Sequence, residues 1–168
     1  MRDLTAAAGA STGLQVVLVL AGRRGSPRSG NLALDGLLGA RVVWAGDVRE
    51  PELEKAVDAV VAECRDRGAR PATIPFGGSN ALGARGYVDG GRELLAQAPD
   101  TATVVTAVGS GGTMAGVVTA LGSERVLGVD CAAVPEPAEI VTGLVAELSG
   151  QRPNPQPPRL GTDQTGAG

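Results

Sequence analysis

Val104-Val105-Thr106-Ala107-Val108-Gly109-Ser110-Gly111-Gly112-Thr113 is the stretch whose reading decides the fold. A β-branched run gives way at once to small residues, and Met114, Val117, Val118 and Leu121 follow at helical spacing. This reads as a strand over 103–108, a turn, and a helix over 112–121. A further apolar run, Arg125 to Val129, supplies the next strand, so the segment is a β-α-β unit on a parallel sheet.

The same alternation extends outward in both directions. Upstream, Val16 to Leu20 reads as a strand buried on both faces. Asn31 to Leu38 reads as a short helix after the Gly30 turn, and Ala40 to Trp44 as the next strand. Glu52 to Arg67 is the best helix: Leu53, Val57, Val60, Val61 and Cys64 share a narrow arc, with Pro51 at the first turn and Gly68 past the end. Ala72 to Phe76 is expected as a strand, broken by Gly77-Gly78-Ser79-Asn80. A weaker helix over 85–96 follows, weakened by Gly90-Gly91. Downstream, Pro137 opens a helix through Leu148 that Gly150 closes. From Gln151 onward, four prolines and polar residues without periodicity are expected to form a disordered tail over 151–168. The fold class is α/β, with parallel sheets and flanking helices.

The turn at Gly109–Thr113 has chemistry as well as geometry. Glycines let backbone N–H groups approach an anion, the helix dipole favours negative charge at its N-terminus, and Ser110 and Thr113 add hydroxyl donors. A tight strand-to-helix turn that needs only positive φ suits the same residues, and spacing alone does not choose between them. Asp130 lies where a ribose-binding acid of a dinucleotide site would sit. Yet the G-x-G-x-x-G pattern begun at Gly109 meets Met114 where a small residue is needed. No Gly-Lys-Ser/Thr follows, which excludes a Walker A loop.

Composition narrows the rest. The 168 residues include 15 basic and 18 acidic side chains with no basic, aromatic-laced stripe, so nucleic-acid binding is not expected. Val16 to Ala21 is far short of the ~20 apolar residues that span a bilayer. Neither a transmembrane helix nor a signal peptide is read, and a cytoplasmic location is expected. The absence of histidine removes Ser-His-Asp and Cys-His chemistry and imidazole metal sites. Cys64 and Cys131 have no metal-type spacing and read as reduced core residues. With Trp44, Phe76 and Tyr87 the only aromatics, the core must be Ala, Val and Leu. Modest stability is expected.

Three stretches, in order and spacing, resemble the D-cysteine desulfhydrase and 1-aminocyclopropane-1-carboxylate (ACC) deaminase family of pyridoxal-phosphate enzymes. They are Gly30-Asn31-Leu32-Ala33-Leu34-Asp35 with Leu38-Gly39-Ala40, Ile74 to Gly83 continuing through Gly86-Tyr87-Val88, and Gly109 to Gly116. The most specific is Pro75-Phe76-Gly77-Gly78-Ser79-Asn80-Ala81-Leu82-Gly83. The resemblance covers about residues 2–148 and implies an incomplete two-lobed tryptophan synthase β-like fold. Residues 1–70 would be part of the small lobe and 71–150 part of the large lobe. It further implies that Gly109, Ser110, Gly111, Gly112 and Thr113 receive the phosphate of pyridoxal phosphate, and that the full-length substrate is a small amino acid losing sulfide or ammonia. For Gly77 to Asn80 it implies a turn near the cofactor cleft and no individual role.

The family's cofactor-bearing lysine and its Ser-Asn-His stretch are expected to precede Met1, and its C-terminal part is expected to be replaced by the proline-rich tail. The sole lysine, Lys55, is placed about 180° from the apolar arc of its helix, among Glu54, Asp58 and Asp66. Such a solvated amine is poorly activated. Tyr87 matches the Gly-Tyr-Val stretch and reads as a packing residue. No catalytic residue and no metal ligand is assigned. Three readings follow: an enzyme read from too late a start, a non-catalytic remnant with weak affinity for phosphate-bearing ligands, and an interaction module whose exposed edges meet another chain. Association of identical chains stays open.

Overall fold

Strands and helices alternate along the chain in a computed structural model that describes residues 2–23, 30–49, 52–150 and 158–161. The chain divides into two units between Thr73 and Ile74.

The first unit runs α1 (Arg2–Thr12), β1 (Val17–Leu20), α2 (Asn31–Leu37), β2 (Arg41–Trp44) and α3 (Glu52–Asp66). α1 has little apolar periodicity. Four alanines supply helix propensity instead, and Ala6 is fully buried. β1 and β2 pair in parallel, from Val17 against Arg41 to Leu20 against Trp44. Leu18 alone in β1 is buried, so the strand is not sheathed on both faces as its sequence suggests. The expected apolar arc of α3 is half-buried throughout, and Lys55 is exposed. Pro51 lies outside the described residues.

The second unit departs from the sequence expectation at its start. The strand expected over Ala72 to Phe76 does not form: Pro71 precedes it and Pro75 lies within it, and proline cannot donate to a ladder. Instead Phe76–Gly78 makes one 3₁₀ turn and leads into α4 (Ala81–Gln97), capped by the Asn80 Oδ1, which accepts from the Gly83 N–H at 2.7 Å. α4 runs through Gly90-Gly91 unbroken. A Cβ at Gly91 would lie 2.7 Å from Ala120 Cβ and 2.8 Å from Leu121 Cδ1, so this glycine is where another helix comes close. That helix is α5 (Gly112–Leu121), which follows β3 (Val104–Val108). Gly116 makes the second close approach: its Cβ would meet Ala84 O and Tyr87 Cβ at 2.5 Å.

β4 (Val126–Asp130) pairs in parallel with β3, and α6 (Pro137–Ser149) packs on α5. The core gathers Val108, Met114, Val118, Leu121, Val126 and Val141 between the sheet and these helices. Apolar side chains cover nearly the whole circumference of α5, as expected for a helix buried between neighbours. Residues 159–161, inside the stretch expected to be a disordered tail, form β5 (Arg159–Gly161), parallel to β4, with Leu160 packed on the core. Arg159 also donates to Glu124 O at 3.0 Å. Residues 151–157 and 162–168 lie outside the described residues.

The three helices share one side of this sheet, toward which Val104, Val126 and Gly128 turn. On the other side Val105 is 62% exposed and Ala107 is exposed beside Leu127 and Val129, their register partners on β4. Cys131, read as a core residue, is exposed just past the end of β4, while Cys64 is half-buried.

Candidate phosphate-binding site

β3 ends at Val108 and α5 begins at Gly112, so Gly109, Ser110 and Gly111 span the join. Gly111 takes φ 89° and ψ −19°, the left-handed conformation that the small-residue run permits. It needs to be small as well, since a Cβ there would lie 3.2 Å from Ile140 Cγ2 and from Val141 Cγ2. Gly109 is the opposite case: a Cβ would meet only Ala133 Cβ, at 4.0 Å, so this side of the loop is open. Gly111 and Gly112 are buried, and Ser110 and Thr113 are half-buried.

A helix leaves its first N–H groups without intrahelical partners. In α5 the Gly112 N–H donates to Ser79 Oγ at 3.1 Å, a cap supplied from more than thirty residues away. Those of Thr113 and Met114 have no acceptor among the described residues. The Ser79 hydroxyl donates in turn to Ser110 Oγ at 2.7 Å. No carboxylate occurs from residue 104 to 118, so nothing in the segment repels an anion. Free amides, two hydroxyls and a helix N-terminus make a donor set suited to a phosphate group.

The sequence profile of the family described as pyridoxal-phosphate dependent enzyme matches residues 4–164. The chain belongs to this family. A Pyrococcus abyssi relative, provisionally named a 1-aminocyclopropane-1-carboxylate deaminase, is 37% identical over 94% of this chain and 51% of its own length. A D-cysteine desulfhydrase from Yersinia pestis is 38% identical over 70% of this chain and 37% of its own length. The solved structure of an ACC deaminase homologue superposes with a TM-score of 0.77 at 27% identity, covering 95% of this chain and 51% of that one. Maize serine racemase shares the fold alone, with a TM-score of 0.55 at 19% identity. The chain thus spans about half the length of the relatives it matches best along its own length. Its α/β architecture is that of the tryptophan synthase β-like pyridoxal-phosphate enzymes.

Within this family the donor set at Gly109–Thr113 fits the cofactor's phosphate: free first-turn amides, an open side at Gly109 and no carboxylate. Other sequence candidates fall away. Met114 is fully buried beneath Gly128, whose Cβ would lie 2.5 Å from Met114 Sδ, so close helix–sheet packing is secured by a glycine on the strand. The small residue of the helix, Gly116, serves α4 instead. Asp130 accepts from the Ala132 N–H at 2.8 Å and so holds the turn after β4. Tyr87 packs its Cβ near Gly116 but remains 48% exposed.

Ser79 is the residue that sequence reasoning left without a role. The signals for it lay in the family-like stretch Pro75 to Gly83 and in the glycines around it. A Cβ on Gly77 would fall on Ser110 Oγ, and one on Gly112 would lie 2.7 Å from Ser79 Oγ. Both glycines leave room for the two hydroxyls to meet.

Proposed function

We propose that the loop Gly109–Thr113 holds the phosphate of pyridoxal phosphate, and that the chain contributes this part of a lyase or deaminase that frees sulfide or ammonia from a small amino acid. The observation that supports this most directly is the first turn of α5, where Thr113 and Met114 amides are uncommitted beside the Ser110 hydroxyl. When bound, the cofactor supplies an electron sink for the substrate α-carbon. The chain's own part is to bind and orient: amides and hydroxyls of the loop would fix the phosphate, and buried α5 would keep that anchor rigid. The sole lysine, Lys55, stands exposed on α3, a solvated amine that makes a poor Schiff-base former. The reading is therefore of binding without turnover by this chain alone.

Borohydride reduction after addition of pyridoxal phosphate tests that division. Labelling of Lys55 is expected to be slow, to rise with reagent concentration without saturating, and to match that of a free lysine peptide. Fast, saturable, one-to-one labelling would overturn the non-catalytic part of the reading.

A second reading, association with another polypeptide, is favoured by one feature: the apolar sheet face at which Val105 and Ala107 are exposed beside half-buried Leu127 and Val129. On that reading the thermal midpoint should climb as protein concentration is raised a hundredfold. A midpoint independent of concentration would leave the chain monomeric.

A further inference from the structure

We infer that Ser79 is a positioning residue that turns the Ser110 hydroxyl toward the bound phosphate group. The inference rests on the phosphate reading of the Gly109–Thr113 loop and adds a residue to it.

The order of donors carries the argument. Ser79 Oγ accepts the Gly112 N–H at 3.1 Å and gives its own proton to Ser110 Oγ at 2.7 Å. A hydroxyl has one proton and can accept as well as donate. A phosphate dianion can only accept, so with it in place Ser110 gives its own proton outward and takes that of Ser79. The chain of donors runs from the helix amide through Ser79 to Ser110, each bond polarising the next, and its free end is a donor. An anion is the complement of that end.

Ser79 is held from both sides. Asn80, its neighbour, is fixed as the cap of α4 through the 2.7 Å bond from the Gly83 N–H. Gly77, at φ 69°, brings the turn so close to Ser110 that no Cβ fits between them. The turn over residues 75–80 is thus seated on the loop by two glycines and one hydroxyl. Without Ser79, Ser110 could rotate to other acceptors and the Gly112 amide would lose its cap.

The probe is pyridoxine 5′-phosphate, which has no aldehyde and so cannot react with Lys55; pyridoxine without phosphate is the control. Titration calorimetry on the full chain would compare wild type with Ser79→Ala, Ser110→Ala, the double variant and Ser79→Thr. Ser79→Ala is expected to weaken binding about tenfold, the size of one charge-assisted hydrogen bond. In the Ser110→Ala background the same change should add little, because its effect passes through Ser110. Ser79→Thr, which keeps the hydroxyl, should restore most of the affinity.

A merely structural role would not move the titration of the bound phosphate. Followed by ³¹P NMR, its protonation midpoint should rise in Ser79→Ala, since a donor that favours the dianion has been lost. Wild-type affinity in Ser79→Ala, or losses that add fully in the double variant, would overturn the role of Ser79 alone. Failure of the wild type to prefer the phosphate ester over pyridoxine would overturn the loop reading and this inference together.

Discussion

Gly116→Val is expected to cost more than about 3 kcal/mol of stability and to lower the thermal midpoint of the second unit by more than about 12 °C. A Cβ at this position would lie 2.5 Å from Ala84 O and Tyr87 Cβ and 3.0 Å from Tyr87 C. Two of those atoms are backbone, so no rotamer change relieves the clash. α4 and α5 must separate, and separation uncovers Ala84 and Val88, which are 1% and 7% exposed. Overpacking alone costs about 1–3 kcal/mol, and the lost burial adds to it. A domain stable by only about 5–15 kcal/mol would be left near its threshold. Gly86→Ala, on the facing helix α4, is the control. Nothing lies within 4 Å of its Cβ, so it should be neutral or stabilising by about 0.5–1 kcal/mol. Urea and thermal denaturation followed by circular dichroism check both, and a thermal midpoint shift under about 4 °C for Gly116→Val would mean that the helices do not meet through this residue.

Met114→Ala is expected to cost about 2–5 kcal/mol, with loss of pyridoxine phosphate binding as a second effect. Met114 is fully buried against Gly128 in the middle of β4. Its truncation leaves a void that the sheet cannot close without moving, because Val108 Cγ2 and Leu160 Cδ2 already pack over the same glycine, each 2.7 Å from where a Cβ on it would stand. Met114 is also the third residue of α5, so the void opens under the amides proposed to hold phosphate. Met114→Leu keeps the volume and should cost less than about 1.5 kcal/mol. A loss below about 1 kcal/mol for Met114→Ala, measured by the same denaturation, would contradict the packing described.

Much of this was legible in the residues. Four strands and five helices follow from β-branched runs and apolar periodicity, because each is a local pattern. What the sequence concealed is long-range. Gly90-Gly91 reads as a helix breaker until Ala120 is seen against Gly91, after which it is the condition for two helices to pack. Ile74 and its neighbours have strand-like side chains, but Pro71 and Pro75 withhold donors and no partner strand takes the segment. Leu160 sits in proline-rich surroundings that predict disorder, and only its pairing with Gly128 reveals a strand. Ser79 was invisible for the same reason: its partners, Ser110 and Gly112, are more than thirty residues away. The loop itself could be read because its glycines, its hydroxyls and the helix it opens are contiguous.

The position of β5 sets a timetable for synthesis. Roughly thirty residues separate the end of β4 from Arg159, and a ribosome adding about 5–20 residues per second needs about 1.5–6 s to make them. Hairpins and helices form within about microseconds, so the nascent sheet waits with one flank of β4 unpaired for a time that is long by the standards of chain motion. Leu160 is therefore a late arrival that finishes a sheet already formed, and holdase chaperones that shield bare strand edges would have their chief opportunity in that interval.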